Sequence, residues 1–166
     1  MSEKKKIIVN SFSELDLKMV GSKSFYLGEV HKLGEKVPEG FCLTKEGYNE
    51  FININKLKEI IFQEIHRKPI KKMTWEEIWD TSLRIRTSFL QGTFPPLLSK
   101  ELENNIPPGF LKCGLSVRSS TLAGGNGITS FTGIHESILK ISDLKELEKA
   151  IKIVWASLWS DACLLY

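Results

Sequence analysis

Leu115-Ser116-Val117-Arg118-Ser119, Gly124-Gly125-Asn126-Gly127 and Ser130 to Ile141 form the stretch that decides the fold. The first piece is short and apolar at alternate positions, so it reads as a strand. The glycine-rich piece is too flexible for either regular state and reads as a turn. Ser130 to Ile141 alternates loosely and reads as a returning strand. Asp143 with Glu146 then suggests a capping box. It opens a last helix whose apolar face is Leu144, Leu147, Ile151, Val154, Trp155 and Leu158.

Upstream the pattern is different. Residues 55–106 read as helical, with a stripe at Leu57, Ile60, Ile61 and Ile65. A capping box at Thr74 and Glu77 precedes Trp75, Ile78, Trp79 and Leu83 at helical spacing. Pro95-Pro96 starts another helix and Pro107-Pro108-Gly109 ends it. Nearer the start, Lys6 to Val9 and Phe41 to Thr44 read as short buried strands. Between them Gly21-Ser22-Lys23-Ser24 opens a short helix through Phe25, Leu27, Val30 and Leu33, with Gly34 at its end. Thr44 caps a helix with Tyr48, Phe51 and Ile52 on its inner face. Strands at both ends and helices between give an α+β class: a small mixed sheet with packed helices.

The bulk numbers exclude several functions. The chain has 166 residues, 42% apolar and 26% charged, which is globular and long enough for a sizeable core. A net charge of +3, with basic residues only in short clusters, is not the footprint of a nucleic-acid binder. No apolar run approaches the roughly 20 residues that cross a bilayer, and no secretory leader is legible, so no membrane partner is expected. Cys42, Cys113 and Cys163 are odd in number and lack metal-ligand spacing. They read as packed free thiols in a reducing, cytoplasmic compartment.

Three features point to chemistry. Lys23 stands between a strand and a helix start, where backbone N–H groups attract anions and a Lys adds a point charge. An ordinary surface lysine is the competing reading. Arg118 sits in a strand between apolar neighbours. Burial there needs an anion partner, either a ligand or a core Asp or Glu. The Gly124–Gly127 turn is flanked by Ser119, Ser120, Thr121, Thr129 and Ser130, and a hydroxyl-rich flexible hairpin suits phosphate cover. An ordinary Asn-Gly turn is equally open. His31, His66 and His135 show neither metal nor triad spacing, and no metal site is expected within the chain.

Taken in order, five elements resemble the pyruvate phosphate dikinase N-terminal family, whose members begin phosphoenolpyruvate synthases, pyruvate phosphate dikinases and rifampin phosphotransferases. They are Val20-Gly21-Ser22-Lys23-Ser24 with Leu27-Gly28-Glu29, Val37 to Thr44, Ser116-Val117-Arg118-Ser119-Ser120, Ser130-Phe131-Thr132-Gly133 with Glu136, and Trp155 to Trp159. The resemblance implies the front half of an ATP-grasp ATP-binding domain, with residues 1–166 a single partial domain. It implies that Lys23 and Arg118 hold the ATP phosphates and that no residue here is catalytic. Gly133 and Ser137 fall where the family also approaches the nucleotide. Gly124 and Gly125 stand where the family carries an acidic pair, and they remain possible nucleotide contacts. Ser22 and Ser24 replace glycines beside Lys23, and Ile134 and His135 stand where glutamines are usual.

By the same resemblance a downstream half would bring the adenine pocket and the Mg2+ ligands, and a further domain a phosphorylated histidine. The implied function is ATP-dependent phosphoryl transfer through that histidine to pyruvate, to water with pyruvate, or to an antibiotic hydroxyl. The chain alone is then expected to show no turnover. Its apolar end (Trp155, Trp159, Leu164, Leu165, Tyr166) is expected to be an exposed patch that meets the downstream half or a second copy. The alternatives are a stand-alone half domain that binds nucleotide or a partner without catalysis, and a degenerate remnant.

Overall fold

The computed structural model describes residues 7–9, 15–107, 109–121 and 136–165. The class is α+β. Among the described residues the strands form two separate two-stranded antiparallel sheets rather than one mixed sheet. Strand β1 (Ile8–Val9) pairs with β2 (Cys42–Leu43), with Ile8 opposite Leu43 and Val9 opposite Cys42. The Thr44 N–H continues this ladder onto the Ile7 carbonyl, and the Thr44 hydroxyl then caps α2 (Lys45–Ile54) by accepting from the Glu46 N–H.

Between these strands runs α1 (Leu17–Lys32), capped by Asp16, whose side chain accepts from the Lys18 N–H. It begins earlier than the Gly21 start read from the sequence. Leu17–Val20 makes one helical turn, and Gly21, at φ 76° and ψ 174°, breaks the helix before Ser22. A helix of period 3.6 cannot pass through that backbone region, which only glycine enters readily.

Next come α3 (Leu57–His66), a 3-10 turn at Ile70–Lys72, α4 (Trp75–Gln91) and α5 (Pro96–Asn105). The capping box of α4 is made in full: Glu77 N–H to the Thr74 hydroxyl and Thr74 N–H to the Glu77 carboxylate. The buried face of α4 is Ile78, Thr81, Ser82, Ile85 and Phe89, whereas Trp75, Trp79 and Leu83 are exposed. Those three occupy a neighbouring row at i, i+4, i+8, so helical spacing alone did not identify the inner face.

The short α6 (Phe110–Cys113) leads into β3 (Leu115–Arg118), which pairs with β4 (Ser137–Ile141). Leu115 faces Ile141, Val117 faces Ile138 and Arg118 faces Ser137, so β4 carries one extra residue. Lys140, at φ 60°, absorbs it as a bulge. Helix α7 (Leu144–Ser157) follows, with Asp143 accepting from the Glu146 N–H. Only half of the expected box forms, because the Glu146 carboxylate takes the Ser142 N–H and hydroxyl instead.

Phe51, Leu57, Ile85 and Phe89 bury completely or nearly so where α2, α3 and α4 meet. Phe51 stacks obliquely on Phe89 and Trp155, with ring centroids 5.8 and 5.2 Å apart. Burying one such ring contributes about 1.5–3 kcal/mol. A second cluster, Leu102, Ile141, Leu147, Ala150 and Ile151, joins α5 and α7 to the β3–β4 pair. Phe94 and Trp155 pack against both clusters.

The expected apolar patch at the end of the chain does not hold for its tryptophans. Trp155 lies against the core, and Trp159 packs on it too and donates its indole N–H to the Tyr48 hydroxyl. Helix α8 (Asp161–Leu165) leaves Leu165 exposed, and Tyr166 lies outside the described residues. The thiols also differ from expectation. Cys42 is buried, but Cys113 is exposed at the end of a single helical turn.

Candidate functional site

The break at Gly21 positions Lys23. Beyond it the segment Ser22–Lys32 is helical, and its first N–H groups have no carbonyl of their own helix to meet. Two of them are met by the residues after β3. The Ser22 N–H donates to the Thr121 carbonyl at 2.9 Å, and the Ser24 N–H to the Ser120 hydroxyl at 3.0 Å. Lys23 lies between these two stitches, and Arg118 lies two residues before Ser120. The contact is tight. A Cβ at Gly21 would fall 2.2 Å from the Ser120 carbonyl oxygen.

Arg118 ends β3, directly opposite Ser137, the first residue of β4. The structure therefore brings together the segments carrying Lys23, Arg118 and Ser137 at one end of the β3–β4 pair. Gly124, Gly125 and Gly133 lie outside the described residues. Arg118 is exposed, not buried as its neighbours suggested. A strand turns alternate side chains to opposite faces. Leu115, Val117 and Ser119 turn inward and Arg118 turns out. Among the described residues Arg118 has no ion-pair partner, and Lys23 likewise has none. Both charges stand in solvent and pay no burial cost.

Surrounding groups support this edge from behind. Ser119 is 7% exposed, and among the described residues its hydroxyl has no hydrogen-bond partner. Burial pushes the Cys42 thiol above its ordinary range, with a hydrogen bond to Ser24 working against the rise. Glu136, just before β4, accepts from Arg86 of α4 at 3.2 Å, and its N–H donates to the buried Ser157 hydroxyl. Arg86 carried no signal in the sequence. The partnership of Gly21 with Ser120 likewise carried no signal in the sequence.

A cleft of about 550 Å3 lies elsewhere, along α2 and the start of α3, lined in part by Glu46, Tyr48, Lys58 and Trp159. It includes none of Lys23, Arg118 and Ser137. Among the described residues no group of three or more His, Cys, Asp or Glu is placed to hold a metal ion. Among them, too, no helix is long and apolar enough to cross a membrane.

Residues 17–166 match the family described as pyruvate phosphate dikinase, AMP/ATP-binding domain. The chain is 27% identical to a rifampicin phosphotransferase of Bacillus subtilis, over 95% of its own length and 18% of that protein's. It is 32% identical to a phosphoenolpyruvate synthase of Neisseria meningitidis, over 91% and 20%. A phosphoenolpyruvate synthase of Aeropyrum pernix is 31% identical, over 90% and 19%. The chain thus spans about a fifth of the length of these curated relatives. With the family's profile covering all but the first residues, the chain belongs to the pyruvate phosphate dikinase AMP/ATP-binding domain family.

Proposed function

We propose that this chain is the phosphate-holding front half of an ATP-grasp ATP-binding domain, with Lys23 and Arg118 closing on the phosphates of ATP. The observation that carries the reading is the double stitch of Ser22 and Ser24 to Thr121 and Ser120. It ties the segment of one exposed cation to that of the other. Ser137, opposite Arg118, is the third contact of the proposal. Gly124, Gly125 and Gly133 of the intervening segment complete it. Two exposed cations on one edge suit a polyphosphate, because charge-assisted hydrogen bonds to phosphate are the strong ones.

In this reading residues 1–166 form one partial domain of a cytoplasmic phosphotransferase. Mg2+ is held by residues outside this chain, and phosphate passes to a histidine and then to an acceptor. Relatives named for phosphoenolpyruvate synthesis and for rifampicin phosphotransfer make pyruvate-type and antibiotic acceptors equal candidates. The test is titration calorimetry of the chain with ATP. Lys23→Ala and Arg118→Ala should each weaken binding by about 10- to 100-fold, the worth of a hydrogen bond to a charged group. Unchanged affinity in both variants would refute the site.

One observation favours a second reading, a stand-alone half domain that binds nucleotide without turnover. Trp155 and Trp159 are packed inward, so the helical core closes on itself. Formation of AMP from ATP by the purified chain, lost in Lys23→Ala, would exclude that reading.

A further inference from the structure

We infer that Ser120 is a positioning residue for Lys23, acting from beyond β3 as the N-terminal cap of the second segment of α1. The inference rests on the phosphate reading above. A side-chain acceptor close by in sequence often caps a helix start, as Asp16 does for the first turn of α1. At the break Gly21 has no side chain and Val20 before it has no polar atom, so neither of these two residues supplies a cap.

The cap comes from 96 residues away. The Ser120 hydroxyl takes the Ser24 N–H, while the adjoining Thr121 carbonyl takes the Ser22 N–H. Lys23 is thereby held on both sides, at the point where the chain leaves β3. This also divides the work at the site. The N–H groups of Ser22 and Ser24 are spent on protein acceptors and are not offered to an anion, which leaves more of the attraction to the Lys23 and Arg118 side chains. A helix start with free N–H groups would have taken part of that load itself.

The two adjacent serines are not equivalent. Ser119 lies on the inward face with Leu115 and Val117, and among the described residues its buried hydroxyl has no partner. Removing an unpartnered hydroxyl takes away no hydrogen bond, whereas removing that of Ser120 strands the Ser24 N–H. Ser119→Ala is therefore an internal control for Ser120→Ala.

The experiment measures amide exchange of Ser24 by NMR, and inorganic tripolyphosphate affinity by calorimetry, in the 166-residue chain. Ser120→Ala should speed Ser24 exchange by about two- to tenfold, the factor of one hydrogen bond of ordinary net strength. It should weaken tripolyphosphate by a similar factor. Ser120→Thr, which keeps the hydroxyl, should restore both, and Ser119→Ala should change neither. The inference is overturned if Ser24 exchange is unmoved in Ser120→Ala, or if Ser119→Ala matches its effects. If the parent chain takes up no tripolyphosphate, the phosphate reading falls, and Ser24 exchange alone decides whether Ser120 is the cap.

Discussion

The helical core and the edge that carries Lys23 and Arg118 are built on different physics. In the core, Phe51, Phe89 and Ile85 are fully buried, and the rings of Phe94, Trp155 and Tyr48 pack around them. At the edge the cations are exposed, and position depends on two long-range hydrogen bonds and one glycine. Burial is non-directional and summed over many atoms, so the core tolerates small displacements. A hydrogen bond with a missing partner is lost outright. Damage to the core should therefore appear as instability, and damage to the edge as lost binding.

The largest expected effect lies in the core. Phe51→Ala removes a ring that touches Phe89, Phe94 and Trp155, so the cavity has no free neighbour to fill it. A loss of about 3–5 kcal/mol is expected in urea unfolding. A loss below 1 kcal/mol would mean that the core is loosely packed and the contrast is false.

Gly21→Ala comes next and tests whether the edge has structural weight of its own. The new Cβ would meet a backbone carbonyl at 2.2 Å, in a region of φ and ψ that only glycine enters readily. Strain of this kind costs about 1–3 kcal/mol. Gly34→Ala is the control. Its φ is also positive, at 84°, but nothing lies within 4 Å of the added carbon. Gly21→Ala should lose both stability and ATP binding, and Gly34→Ala only a little stability. Equal behaviour of the two would show that the Ser120 contact is not what holds the edge.

The same contrast explains which features were legible in the sequence. The helices were, because a 3.6 period and the Thr74–Glu77 box are local signals, and that box forms as read. Which side of α4 faces inward was not. Trp75, Trp79 and Leu83 satisfy the helical period as well as Ile78, Ile85 and Phe89 do. Arg118 was identified as a phosphate candidate, yet its exposure was misjudged, since the inward Leu115 and Val117 place it on the outer face. The break in α1 depends on a partner about a hundred residues away, and no local pattern carries that information.

The smallest expected effect lies at the start of α4 and depends on pH. The Glu77 carboxylate accepts from Lys68 at 2.6 Å and from the Thr74 N–H at 2.8 Å. The hydrogen bond from Lys68, then that from the Thr74 backbone, hold its pKa below the ordinary carboxylate value of 4.5. A depressed carboxylate pKa means that the folded chain binds that proton less readily than the unfolded one. The stabilisation is therefore complete above the unfolded value and lost as pH falls through the folded one. The relevant window lies below about pH 4.5. Glu77 is solvent-exposed in electrostatic terms, so screening keeps the effect small. Thermal unfolding at falling pH should show the parent losing its advantage over Glu77→Gln in that window, with added salt reducing the difference at neutral pH. A constant difference between the two proteins down to pH 3 would assign the role of Glu77 to its shape and neutral hydrogen bonding, not to its charge.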